Sequence, residues 1–345
     1  MARSAVVLFN LGGPDRPEAV EPFLFNLFND QAIITLPQPL RWLVAKLIAR
    51  RRAGLARAIY AELGGGSPLL ELTRAQAEAL AAALGGDGEA KVFVAMRYWP
   101  PRAEAVAAAV KAWGAERVVL LPLYPQFSTT TTASSLADWH RAAARAGLEV
   151  ASAAVCCYPT APGLVRAHAE LIRAAWPEAA RAGTPRLLLS AHGLPKKTVA
   201  RGDPYQWQVE QTAAAVVEAL AIPGLDHVVC YQSRVGPLAW IGPDTEHEIA
   251  RAGRERRPLV VAPVAFVSEH SETLVELDIT YRRLAEAAGV PAYVRVPALG
   301  TQPAFIAALA ALAGGAGPGA GPRSHLGRRL CPPGFARCPC RQGGR

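Results

Sequence analysis

Short apolar, β-branched runs recur along this chain, and longer Ala-rich segments with helical spacing lie between them. A strand that is apolar along its whole length must be buried on both faces. An open parallel sheet with helices on each side provides that burial. The runs at 5–9, 92–96, 117–123, 150–156, 186–189, 227–231, 259–266 and 292–296 predict strands, and the segments 102–113, 164–176, 204–220, 272–288 and 303–313 predict helices. The fold class is therefore α/β. At 345 residues the chain suits about two domains. Each half reads as a doubly wound parallel-sheet unit, and the expected division is 1–158, 159–313, then a Gly/Pro linker and Cys-rich tail at 314–345. The last helix of the second domain is left free to pack back on the first.

Charge and apolar content exclude several classes. The formal net charge is +9, but Arg323, Arg328, Arg329, Arg337, Arg341 and Arg345 stand in the tail with no acid beside them, leaving a nearly balanced body. A nucleic-acid groove would spread its basic footprint over a folded face, so no nucleic-acid partner is expected. No run of about 20 apolar residues is free of charge, and residue 5 already begins a strand. The expected location is cytoplasmic, with peripheral contact at the inner face of a membrane left open. Oligomeric state is not legible, and a homodimer stays open.

Ligands of open α/β sheets lie beyond the carboxyl ends of the strands, so the residues after each strand carry the chemistry. Neither Asn10-Leu-Gly-Gly-Pro-Asp15 nor Gly64-Gly-Gly-Ser-Pro68 has the spacing of a nucleotide loop. The hydroxyl-rich run 128–135 reads either as a helix cap with spare hydroxyls or as a cradle for an anion. His192 ends its strand before Gly193, which suits a base or ligand titrating near neutrality; the alternative is a packed histidine satisfied by backbone. Glu269, Glu272 and Glu276 fall at i, i+3 and i+7, with His270 beside them. Such a row is either a solvated acidic face or, at this edge, a metal or proton path, since stacked like charges need relief. Aromatics near these loops would suit a flat apolar ligand, although core packing explains any single one.

At these loops the sequence closely resembles ferrochelatase, which inserts ferrous iron into a porphyrin. The resemblance rests on Phe9-Asn-Leu-Gly-Gly-Pro-Asp15, Met96-Arg-Tyr98, Leu123-Tyr-Pro-Gln-Phe-Ser128, Ser190-Ala-His-Gly-Leu-Pro195, Tyr231-Gln-Ser-Arg-Val-Gly-Pro237 and Phe266-Val-Ser-Glu-His-Ser-Glu-Thr-Leu-Val-Glu-Leu-Asp278. It implies two Rossmann-like domains with a porphyrin cleft between them. His192 and Glu272 would be the catalytic pair and contact the metal, with His270 and Glu276 adjoining. Leu11, Tyr98 and Trp240 would grip the ring, with Arg97 and the loop from Ser128 near its propionates. The apolar segment 23–28 with Trp42 looks like the lip of the protoporphyrin group rather than the coproporphyrin group. A cobalt or sirohydrochlorin chelatase and a non-catalytic haem or iron carrier are the competing readings.

Cys331, Cys338 and Cys340 have C-x6-C-x-C spacing, which lacks the C-x2-C pairs of ordinary zinc sites. Some ferrochelatases hold a [2Fe–2S] cluster on three tail cysteines and one body cysteine. Here Cys157 is the expected fourth ligand, with Cys156 pointing to the opposite face of an extended strand and Cys230 buried. Free thiols or a zinc site remain the alternative.

Overall fold

The computed structural model describes residues 3–85, 89–234, 236, 238–317 and 321–340. Val235 and Pro237 of the Tyr231 motif, 318–320 of the linker, and Arg341 and Arg345 lie outside the described residues.

The chain divides into two compact units, Met1–Cys157 with Leu309–Leu330 and Pro339–Arg345, and Tyr158–Ala308 with Cys331–Cys338. The tail is thus shared between the units rather than set apart.

The first unit contains β1 (Ser4–Asn10), α1 (Val20–Phe28), α2 (Leu40–Ala61), α3 (Leu69–Ala83), β2 (Ala90–Met96), α4 (Ala103–Ala112), β3 (Arg117–Pro122), α5 (Thr132–Ala146) and β4 (Ser152–Cys157). The two-residue strand Arg323–Ser324, the ninth of the chain, closes its sheet. The strand order is β2-β1-β3-β4 and then this last strand, all parallel. Alternate residues of β1 and β3, namely Ala5, Val7, Phe9, Val118 and Leu120, pack on Val106, Val110, Leu136 and Trp139 of α4 and α5. β1 and β3, the most continuously buried of these apolar runs, are central in the sheet, whereas β2 lies at its edge.

The second unit contains α6 (Pro162–Ala180), β5 (Arg186–His192), α7 (Lys196–Ala200), α8 (Tyr205–Leu220), β6 (Asp226–Gln232), α9 (Thr245–Arg254), β7 (Leu259–Pro263), a π-helical segment Glu272–Thr280 that continues into α10 (Tyr281–Ala287), β8 (Tyr293–Arg295) and the start of α11 (Pro303–Gly315), whose residues from Leu309 onward are assigned to the first unit; the strand Arg323–Ser324 is β9. Its parallel sheet has the order β6-β5-β7-β8. Leu187, Leu189, Ala191, Val260 and Ala262 face α6 and α8. Leu188, Cys230, Leu259 and Val261 face the opposite side, against Ile249, Leu277 and Tyr281. This alternation puts the ends of β5 and β6 side by side, with His192 paired laterally to Gln232.

Two expectations need correction. Glu269 does not belong to the helical row, because the helix begins only beyond His270 and Glu269 is drawn off by Arg295 (Nη1–Oε1 2.8 Å) and by the N–H of Ala298 (2.9 Å). Cys156 and Cys157 do not point to opposite faces: the pairing of β4 with β9 shifts register between Val155 and Cys157, and the two Sγ atoms lie 3.6 Å apart.

Candidate functional site

β5 delivers His192 to the carboxyl end of the second sheet, and the chain must then turn away sharply. Gly193 permits the turn, since a Cβ there would lie 2.9 Å from the carbonyl oxygen of Gln232 and 3.3 Å from the Trp240 ring. The Tyr205 hydroxyl donates to the His192 carbonyl at 3.1 Å and fixes the strand end. Glu272, first residue of the π-helical segment, reaches His192 with Oε2 2.9 Å from Nδ1. The same oxygen is 3.6 Å from His270 Nε2, an ion-pair distance rather than a hydrogen bond. The His270 ring packs on Phe266 with centroids 4.7 Å apart.

Glu276 lies one turn farther along and is held by groups from the end of β6 and the start of α10. It accepts from the Ser233 N–H (2.8 Å), the Ser233 hydroxyl, the Tyr281 hydroxyl (2.9 Å) and Gln232 Nε2 (3.2 Å). Gln232 Nε2 also donates to the Glu272 carbonyl (2.9 Å), while its Oε1 accepts from Ser190 of β5 (2.8 Å). This amide therefore ties β5, β6 and the π-helical segment together. Gln232 and Ser233 stand in the strand-end motif, where the signal was simply two polar residues at a carboxyl end; the signal for Tyr281 was only its spacing of five from Glu276.

A histidine, a carboxylate bonded to it and a second carboxylate one turn away form a base with a charged partner and a proton acceptor behind it. The ferrochelatase family model matches residues 3–315, a span that contains all of these groups. The chain belongs to the ferrochelatase family. Its members are lyases of haem biosynthesis with ferrous iron as substrate, and this chain is an enzyme of that type. It is 55% identical over 343 residues to "Ferrochelatase" of Phenylobacterium zucineum (strain HLK1), covering 99% of this chain and 98% of that relative. "Ferrochelatase" of Wolbachia sp. subsp. Drosophila simulans (strain wRi) is 49% identical over 312 residues, 90% of this chain and 98% of that one. The fold is also similar to that of "SirB from Bacillus subtilis with Fe3+", at a TM-score of 0.51 and 13% identity, over 89% of this chain and 93% of that structure.

Electrostatics separate the roles of this ferrochelatase's acidic groups. Burial works to raise the Glu272 carboxyl, yet the His192 imidazole overrides it and holds Glu272 well below the usual carboxylate range. Burial likewise works to lower His192, and Glu272 reverses that and raises it. The imidazole is 40% exposed, so water screens part of this attraction. Glu276 moves the other way. Desolvation and the nearby Glu272 charge raise it in spite of the donors from Ser233 and Tyr281.

Trp240 bridges to Pro195 in the second unit, and its indole Nε1 is buried with no hydrogen-bond partner. The other candidate residues are in the first unit. Leu11 is half-buried against the cluster of Val20, Phe23 and Tyr60, and the fully buried Tyr98 belongs to that cluster too. Phe23 and Leu24 pack inside it, so the expected lip is not an exposed strip throughout. Gly12 adopts φ +83° where β1 ends, close under Trp99. Ser128 is buried, with its Oγ 2.9 Å from that of Thr130. Arg97 is committed inward: Nη2 reaches Asp30 (2.9 Å), Nη1 reaches Asp138 (3.3 Å) and Nε donates to Ser134 (2.7 Å).

Cys157, Cys331, Cys338 and Cys340 are all buried, and the Cys331 sulfur accepts from Gln208 Nε2 at 3.0 Å. Burial pushes the Cys230 thiol up to about 12. Among the described residues, no group of three or more His, Cys, Asp or Glu could hold a metal ion.

Proposed function

We propose that this ferrochelatase inserts ferrous iron into protoporphyrin IX, with His192, Glu272, His270 and Glu276 as its catalytic groups. The observation that carries this reading is the His192–Glu272 contact of 2.9 Å at the sheet's carboxyl edge, with Glu276 one turn behind. Insertion replaces two pyrrole N–H protons by one Fe2+, so the enzyme must accept two protons and present the cation to the ring nitrogens. His192 takes a proton at the imidazole, and the Glu272 carboxylate stabilises the imidazolium that results. Glu276, whose own titration is raised, passes protons outward. Two donors, His192 and Glu272, suit a metal in transit, because a closed cage would retain it. Leu11 and Tyr98 of the first unit and, separately, Trp240 of the second are the proposed ring contacts, with the loop from Ser128 toward the propionates.

The preference for protoporphyrin over coproporphyrin rests on two features. Apolar residues line the exposed face of α2, and the Arg97 guanidinium is already matched by carboxylates. That same face supports peripheral membrane contact. Leu40, Leu43 and Leu47 are exposed at i, i+3 and i+7 beside Trp42, and Lys46 lies 4.8 Å over the Trp42 ring. Arg50, Arg51 and Arg52 follow in the same helix. Among the described residues no helix is long and apolar enough to cross a membrane.

Anaerobic incubation with Fe2+ and protoporphyrin IX tests the reading. The four visible bands of the free base should give way to the spectrum of haem. An unchanged spectrum with active iron and porphyrin present would overturn it.

A further inference from the structure

The carboxyl end of β2 presents Arg97 at the edge where open α/β sheets take their ligands, yet this arginine offers little charge outward. Its side chain is only 10% exposed, and each guanidinium nitrogen has an internal partner in Asp30, Asp138 or Ser134. Asp30 is the centre of the arrangement. Its Oδ2 also accepts from the Tyr98 hydroxyl (2.8 Å) and from the Ser134 hydroxyl, and its Oδ1 accepts from the Ala32 N–H (2.9 Å). These partners come from the segment after α1, the end of β2 and the first turn of α5, all within the first unit. Burial works to raise the Asp30 carboxyl, but Arg97 and these donors hold it below the ordinary range, so it stays ionised.

Asp138 cannot neutralise Arg97 alone, since it is shared with Arg141 (3.0 Å) and lies 4.0 Å from Arg102. Three arginines stand against two carboxylates, and without Asp30 the surplus positive charge would rise from one to two. We propose that Asp30 is a specificity-determining residue: it satisfies Arg97 from within, so this stretch of the binding edge does not attract additional carboxylates on a porphyrin. The inference rests on the ferrochelatase reading above. It adds that discrimination against a tetracarboxylate porphyrin is set by an internal carboxylate that need not touch the substrate.

The test compares kcat/KM for Fe2+ insertion into protoporphyrin IX, with two carboxylates, and coproporphyrin III, with four. Asp30→Asn keeps an acceptor of the same shape and removes the charge. The ratio of tetracarboxylate to dicarboxylate kcat/KM should rise about tenfold, the order expected for one unmatched charge near a carboxylate at a partly solvated site. The gain should shrink with added salt and vanish in Asp30→Asn/Arg97→Met. Because a ratio is read, a smaller folded fraction does not move it. If Asp30→Asn does not fold, Asp138→Asn, at a less buried carboxylate, should raise the ratio in the same direction. An unchanged ratio in the folded variant, or a gain that persists without Arg97, would overturn the role of Asp30. Failure of the unsubstituted enzyme on both porphyrins would instead remove the reading beneath it.

Discussion

His192 and Glu272, eighty residues apart in the chain, meet at 2.9 Å where β5 ends and the π-helical segment begins. Each shifts the other's titration toward the charged form, so Glu272 favours the imidazolium that forms when His192 takes a proton. Replacing His192 by Ala should cost at least two orders of magnitude in insertion rate, in the range for loss of a positioned base, while leaving the fold intact. Retention of more than a tenth of the rate by the folded variant would refute its role. Glu272→Gln should be nearly as severe. Glu276→Gln should be milder, because water can bypass a group one turn farther along.

The titration of His192 gives a second check without iron or porphyrin. Its imidazole should titrate above the ordinary value of about 6.5 in the unsubstituted protein. It should fall in Glu272→Gln, where burial acts without its counterweight. Histidine NMR across pH reads both. By linkage, the pair's contribution to stability is full between the ordinary carboxylate value and about pH 6.5. It is lost on the acid side as Glu272 protonates and on the basic side as pH passes the raised value of His192. A histidine unmoved by Glu272→Gln would contradict the coupling.

His168 on α6 should make the protein acid-labile. It is buried, its Nε2 has no hydrogen-bond partner, and burial lowers its titration to about 4. A lowered histidine costs nothing above its unfolded value and destabilises the fold as pH falls below it. Between about pH 6.5 and 4 the loss should approach 3 kcal/mol, at about 1.4 kcal/mol per unit. Denaturant titrations at a series of pH values should show this slope, and His168→Leu should flatten it. Equal slopes in both proteins would assign the acid sensitivity elsewhere.

Flotation with anionic vesicles examines the exposed face of α2. Trp42→Ser and Leu43→Ser together should weaken binding several-fold with little change in Tm, since these side chains are 41% and 55% exposed. Unchanged flotation would move the contact away from this helix.

The sheets were legible because strands buried on both faces must be continuously apolar, and each of the eight runs became a strand with its ends moved by a few residues. α2 and α9 were harder to see. α2 is interrupted by Arg50, Arg51 and Arg52, and α9 buries little apolar surface beyond Ile249 and Ala252. His192, Glu272 and Glu276 stood out because chemistry-bearing residues at strand ends have few other uses. Glu269 was misread since its partner, Arg295, lies 26 residues away and nothing in the local spacing announces it. Asp30 stayed hidden for the same reason, with partners 67 to 104 residues distant. The bulge that brings the Cys156 and Cys157 sulfurs together leaves no mark in composition.

β9 pairs with β4 through only Arg323 and Ser324. Without it, β4 would end the first sheet as a row of unpaired N–H and C=O groups able to template another chain. With it, the outermost strand is too short to recruit a neighbour, and the exposed Arg323 places a charge where an incoming strand would have to lie. Two residues at the rim of a sheet can thus be understood as protection against self-association, a service to the chain's solubility.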